Sequence, residues 1–326
     1  MKLRHVCTLM LSLGITLVSA MQANALSIDL IEGADDPVAQ MSSALLDPVS
    51  GVTIVGGSGS FIGRVGDGSN PNTAQSGIYT SLSLTPNNGG LPLIENPNGI
   101  FLTSGVANIS LTGNGDTSFD NGSTGTSNPG TGSDADLAAI LSAAGAPSSF
   151  TTSRNIFEFD FTVEGGANAV EARFVFGSDE FPDQGVTDIF AFIVDGENFA
   201  VFPDGSLISF VTGVNASNFN NNNVGTGNYN IEYDGISNSL RVVGVLNSEL
   251  TTHHLKLAIA DTSDTIFDSG VFIGGFKAIN FEGDEGGGGE GGGGIIPDSP
   301  IPEPSSLALL GLGTLGLFIA RRRRQK

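Results

Sequence analysis

The stretch Val170–Gly196, V-E-A-R-F-V-F-G-S-D-E-F-P-D-Q-G-V-T-D-I-F-A-F-I-V-D-G, decides the fold. Its first half alternates: Val170, Ala172, Phe174 and Phe176 share one face, Glu171 and Arg173 the other. Side chains of a strand point alternately to its two faces, so this half reads as a half-buried strand. The second half, Ile189–Val194, is apolar on both faces and predicts a strand inside a sandwich. Between the two lies an acidic turn holding Asp179, Glu180, Asp183 and Asp188.

The same grammar extends outward. Upstream, Phe157, Phe159, Phe161 and Val163 alternate with Glu158, Asp160 and Thr162. Downstream, strand-like runs recur at Phe199–Phe202, Leu207–Val211, Tyr229–Tyr233, Leu240–Leu246, Val271–Ile273 and Phe276–Phe281, each bounded by Gly, Asn, Asp or Pro. In the remaining run, Leu255, Leu257 and Ile259 are expected inward, His254 and Lys256 outward. Strands at this spacing without helices between them predict a mainly β fold, an antiparallel β-sandwich that is jelly-roll-like. Val52–Val55 and Gly99–Gly105 add short strands nearer the start, and Thr112–Gly132 reads as a long polar loop.

Two short helices complete the domain. Asp36 caps the first, Pro37 suits its first position, and Val38, Met41 and Leu45 share a face. In the second, Ser133 and Asp136 have capping-box spacing, Leu137, Ile140 and Leu141 form the stripe, and Gly145 with Pro147 ends it.

Charge is segregated along the chain. Of 13 basic residues, two lie in the first four and five in the last six, leaving six against all 34 acidic ones: a net of −28 between the ends. A field of that sign repels nucleic acid and anionic membrane and attracts divalent cations. The only cysteine is Cys7. It falls inside a leader, Met1–Ala25, with a basic start, an apolar run Val6–Val18 and the small-x-small site Ala23-Asn24-Ala25, so the domain is expected to hold neither disulfide nor thiol.

The other end is more specific still. A Gly/Glu linker, residues 284–300, precedes Pro302-Glu303-Pro304, an apolar segment Leu307–Ala320, and Arg321, Arg322, Arg323 and Arg324. As a helix the apolar segment is about 21 Å long at 1.5 Å per residue, a short transmembrane helix with its arginines held in the cytoplasm. Within it, Gly311–Gly316 matches G-x-G-x-x-G, but no strand precedes it, so it is not a dinucleotide loop. The arrangement resembles the PEP-CTERM sorting signal. That resemblance implies an exosortase, a membrane transpeptidase of Gram-negative bacteria, as processing partner. It also implies export through the inner membrane, cleavage near Pro302–Pro304, and surface attachment or release, often beside exopolysaccharide.

The segment between the two ends also resembles a known family. Gly99–Gly105, Asp134–Leu137, Phe174–Phe181, Asp188–Ile193, Val211–Asn215, Leu255–Asp261 and Asp268–Ile273 occur in the order seen in choice-of-anchor L domains. Phe181 stands where that family usually has tyrosine. The resemblance implies a surface domain attached by varied anchors and is not tied to an enzyme activity. The chain therefore divides into a signal (1–25), the domain (26–283), the linker (284–300) and the sorting signal (301–326).

Two acidic clusters carry the chemistry: Asp179, Glu180, Asp183 and Asp188, and Asp261, Asp264 and Asp268. Carboxylates gathered in turns supply the oxygens that Ca²⁺ takes six to eight of, and Glu180, Asp188, Asp261 and Asp268 are the candidate ligands. The competing reading is that Asp and Ser satisfy turn amides. His253 and His254 are adjacent in a strand, face opposite ways and do not share a metal. Catalysis finds no G-x-S-x-G, no thiol outside the leader and few histidines, and sugar platforms are scarce with no Trp and three Tyr. The expectation is a non-enzymatic surface or extracellular-matrix protein with a structural or adhesive role, associated with exopolysaccharide, biofilm or other surface proteins. A calcium- or carbohydrate-binding module is the first alternative, a polysaccharide hydrolase using paired carboxylates the second.

Overall fold

The structure, a computed structural model, describes residues 27–33, 36–66, 73–83, 95–107, 131–146, 151–184, 188–223, 229, 231, 233–263, 267–282 and 294–297. The leader, the Pro302–Pro304 motif, the apolar segment Leu307–Ala320, Arg321–Arg324 and Asp264 lie outside them, as do most of the Thr112–Gly132 loop and the start of the linker. Among the described residues no helix is long and apolar enough to cross a membrane.

Among the described residues two α-helices, one 3-10 turn (Ala216–Asn218) and fifteen strands follow one another. The N-terminal part contains β1 (Ser27–Leu30), α1 (Pro37–Leu45), β2 (Val52–Ile54), β3 (Ser60–Ile62), β4 (Ser76–Ser83), β5 (Glu95–Thr103) and α2 (Ala135–Ala143). The central strands are β6 (Thr151–Val163), β7 (Ala169–Ser178), β8 (Ile189–Val194), β9 (Glu197–Asn198) and β10 (Phe219–Asn221). The last are β11 (Gly235–Ser237), β12 (Leu240–Val245), β13 (His253–Thr262), β14 (Ser269–Ile279) and β15 (Gly294–Pro297).

They form two antiparallel sheets. The larger runs β1-β4-β5-β14-β7; beyond β7, β11 leads to β10 and β12 leads to β15. The smaller runs β6-β13-β8-β9, with β2 and β3 sharing the free edge of β6. Nine and six strands exceed the eight of a simple jelly roll. One core joins the sheets: Phe174, Phe176, Ile100 and Val271 from the larger pack with Phe157, Phe159, Phe190, Phe192 and Leu257 from the smaller. Each fully buried side chain of this size contributes roughly 1.5–3 kcal/mol.

Part of each outer face is covered as well, which explains why Ile189–Val194 is apolar on both sides. Leu137 and Leu141 of α2 lie over Ile189, Ala191, Ile193 and Ala258. Across the molecule, Tyr229, Ile231 and Tyr233 lie with Phe101, Val175 and Phe272 on the outside of the larger sheet. The described residues of Tyr229–Tyr233 are therefore a covering loop, not the expected strand. Phe199–Phe202 and Leu207–Val211 likewise make only the isolated bridges Val201↔Leu207 and Phe190↔Ile208. Their apolar side chains belong to the core without a hydrogen-bonded ladder.

Three further expectations change. The α2 cap is Asp134, not Ser133: its Oδ1 accepts from the Asp136 and Leu137 amides at 3.1 and 3.0 Å. Lys256 does not reach solvent, because α2 covers its face of β13 and the side chain is buried against Asp134 and Asp136. The end of the Gly/Glu linker is not a spacer throughout, since Gly294–Pro297 pairs antiparallel with β12. The first helix is as expected, with Asp36 accepting from the Ala39 amide, Pro37 opening it, and Met41 and Leu45 buried.

Candidate metal centre

The antiparallel register gathers the acids at one end of the sandwich. In the smaller sheet the last β8–β13 pair is Ile189↔Ala260, so one step further Asp188 stands beside Asp261. In the larger sheet Ser178 pairs Ser269, and one step further the Asp179 amide donates to the Asp268 carbonyl at 3.2 Å. Glu180 follows directly, its own amide donating to Ser178 Oγ at 3.2 Å. The sequence separation of the two turns is thus cancelled by strand pairing, and both sheets contribute acids to one buried volume.

That volume is closed to solvent. Glu180 and Asp188 are 0% exposed, Asp261 is 1% and Asp179 and Asp268 are 3%. Neither oxygen of Asp188, nor Oδ2 of Asp268, has a hydrogen-bonding partner among the described residues. Ser269 Oγ lies near Asp188 but donates to Ser178 Oγ at 2.8 Å. Burial first, then the charges of Asp261 and Glu180, push the Asp188 carboxyl well above the usual carboxylate range; the Ser269 hydroxyl pulls the other way and Asp268 adds a smaller push. Asp268 is raised in the same direction, by burial, then by Asp261, Asp179 and Glu180.

All four residues singled out from the sequence, Glu180, Asp188, Asp261 and Asp268, are brought together. Asp183, from the same turn, is exposed and stands apart. Sequence reasoning passed over Asp179 as a specific candidate, although it adjoins Glu180; its Oδ1 accepts from the Asp234 amide at 3.1 Å. It also missed Gly105. A Cβ there would lie 1.8 Å from Asp268 Oδ2, so only glycine leaves room for that carboxylate. Nor did it foresee Ser153, which has φ +52 at the irregularity where β6 passes Ile259 and Asp261.

Charge pairing elsewhere follows a different pattern. Glu171 meets Arg241 and, at 3.2 Å, Lys277. Asp195, at the opposite end of the β8–β13 pair, accepts from the Asn247 and His254 amides and contacts His253 Nδ1 at 2.8 Å. His254 Nδ1 turns the other way, to Asp160 at 2.8 Å, so the two histidines do not converge. Among the described residues neither Asp188 nor Asp268 has a basic partner. Donors that are all carboxylate oxygens, dry and without nitrogen or sulfur, fit a hard cation such as Ca²⁺ rather than Zn²⁺. Among the described residues no three candidate side chains already form a coordination sphere.

Two stretches of the chain match known families. A family model for the choice-of-anchor L domain matches residues 67–277, a span that includes every acid of this cluster. A second, for the PEP-CTERM protein-sorting motif, matches residues 300–324, which take in Pro302, Glu303, Pro304 and the arginines. No curated protein and no solved structure matches.

Proposed function

This chain belongs to the choice-of-anchor L family, and from that premise we propose that it is a non-enzymatic structural or adhesive protein of the bacterial surface or extracellular matrix. The sorting motif implies an exported protein processed by exosortase, and it is the observation that carries the reading. In it the C-terminal helix holds the chain transiently in the inner membrane of a Gram-negative cell. Cleavage near Pro302–Pro304 then hands the domain to the surface, beside exopolysaccharide.

The domain's build supports a structural role. Apolar patches on the outer face of each sheet are covered, and the large apolar side chains exposed among the described residues, Val49, Val55, Val214 and Leu250, are separate in sequence. Hydrolysis of a glycoside needs a carboxylate pair facing a cleft. Glu180 and Asp188, both 0% exposed, face the interior instead, which favours the structural reading over the hydrolase.

The test is fractionation of cells producing the full chain or a variant with Arg321–Arg324 changed to glutamine. The wild type should appear at the surface or in the matrix with a new C-terminus near Pro302–Pro304, and should leave with the polysaccharide when that is digested. The variant should remain in the membrane with its tail intact. Wild-type protein that keeps its tail in cells with active exosortase would end the sorting part. Retention on cells stripped of polysaccharide would end the matrix part.

A further inference from the structure

We propose that Asp188 and Asp268, with Glu180 and Asp261, bind one calcium ion that clamps the two sheets together at this end of the sandwich. The inference does not depend on where the protein is sorted. It rests on three observations of the fold.

First, the acids come from both layers: Asp188 immediately precedes β8 and Asp261 lies near the end of β13 in the smaller sheet, while Glu180 follows β7 and Asp268 immediately precedes β14 in the larger. An ion held by both sets adds a cross-link between sheets that otherwise meet through the apolar core and through buried hydrogen bonds, such as those that Asn155 of β6 donates to Ser76 and Thr103. Second, both oxygens of Asp188 and Oδ2 of Asp268 are buried with no geometrically formed hydrogen bond, the nearby Ser269 hydroxyl being engaged with Ser178 Oγ, in residues 0% and 3% exposed. Unsatisfied buried carboxylate oxygens are costly, and proteins place them where an ion or proton completes the site. Third, the cluster is specifically shaped, since Gly105 leaves the space that Asp268 Oδ2 occupies.

The chemistry selects the ion. Calcium accepts six to eight oxygens in irregular arrangement, so the carboxylates are joined by backbone carbonyls of the surrounding turns. Magnesium demands a near-ideal octahedron and gives up its water reluctantly, which a dry pocket does not suit. Because the carboxylates repel one another before the ion arrives, binding draws them inward and tightens the turns that carry them.

The experiment uses the full chain in mild detergent, dialysed against chelator and checked for residual metal. Calorimetric titration with CaCl₂ should show one saturable site, and calcium at about a hundred times its Kd should raise Tm by roughly 5–10 °C. MgCl₂ at equal ionic strength should do neither. Asp188→Asn and Asp268→Asn should each remove the shift while melting cooperatively, and the exposed Asp183→Asn should retain it. If one of the first two does not fold, the other decides. The proposal fails if the calcium, magnesium and chelator curves coincide, which would mean that protons complete the cluster. It fails equally if magnesium gives the same shift, or if the shift survives in the foldable variants.

Discussion

Two acidic groups that meet β13 are handled in opposite ways. On its outer face Lys256 Nζ reaches Asp134 at 2.8 Å and Asp136 at 2.6 Å, so the charges under α2 are balanced by the chain itself. At its C-terminal end Asp261 meets Asp188 and Asp268, and neither of those two has a cationic side chain within reach among the described residues. With six basic residues between the two ends of the chain, cations are scarce, and one is spent fixing a nine-residue helix. The difference separates a permanently closed pair from a cluster whose charge is left for something outside the chain to neutralise.

The contrast is tested most severely by removing its internal cation. Lys256→Met should cost about 3–5 kcal/mol in a denaturant titration, because Asp134 would remain buried and unpaired. Calcium should not restore that loss, as α2 lies on the other face of the sheet. At the second site the sign reverses: Asp188→Asn should stabilise the chelator-treated protein at pH 7 by about 1–3 kcal/mol, by deleting one of several like charges in a dry volume. A destabilised metal-free D188N would mean that the carboxylate is already satisfied.

Acidity sharpens the same comparison. Asp188 and Asp268 have folded pKa values above their unfolded ones, so above about pH 3.9 the folded chain holds more protons than the unfolded chain. Stability then falls as pH rises through that window and is greatest on its acid side. The groups facing the pair are Asp179, Glu180 and Asp261, all acidic, so they reinforce the trend. The chelated protein should melt higher at pH 5 than at pH 7.5, and calcium should shrink the gap. Lys256 works in the other sense: burial lowers its pKa, but hydrogen bonds to Asp134 and Asp136 raise it overall. Its contribution is complete at neutral pH and fades only as pH rises through the lysine range. The smallest effect belongs to a lone, exposed cap. Asp36→Ala should cost about 1 kcal/mol, a few degrees in Tm, with no dependence on calcium.

Much of this architecture could be read from the chain. Alternation at Phe157–Val163 and Val170–Phe176 announced strands, and the doubly apolar Ile189–Val194 announced a layer on each side. Asp36-Pro37 announced α1. What escaped depends on long-range partners. Period two says that Lys256 and Leu257 face opposite ways, but not that α2 returns to bury the lysine. Runs such as Leu207–Val211 have strand composition, yet apolar residues are buried equally well by a loop that lies on a core. The four carboxylates were legible because acids in turns are chemically conspicuous. That Asp188 pairs alongside Asp261, and Asp179 alongside Asp268, is a matter of register, which no local pattern contains. The distinction between Glu180 and the exposed Asp183 is equally a matter of how the turn packs.

The short strand β15 gives the domain a mechanical property. Among the described residues it is bound to the edge of the larger sheet through β12 alone, over four residue pairs from Leu240↔Pro297 to Val243↔Gly294. A pull on the C-terminus therefore loads this ladder first, starting at Pro297, and peels it before force reaches β12 and β7. Once detached, Gly294–Pro297 alone lengthens the tether, by about 13 Å when fully extended. The sandwich is thereby insulated from tension by a strand that yields early and can re-form, an extensible leash between a rigid body and whatever holds its tail.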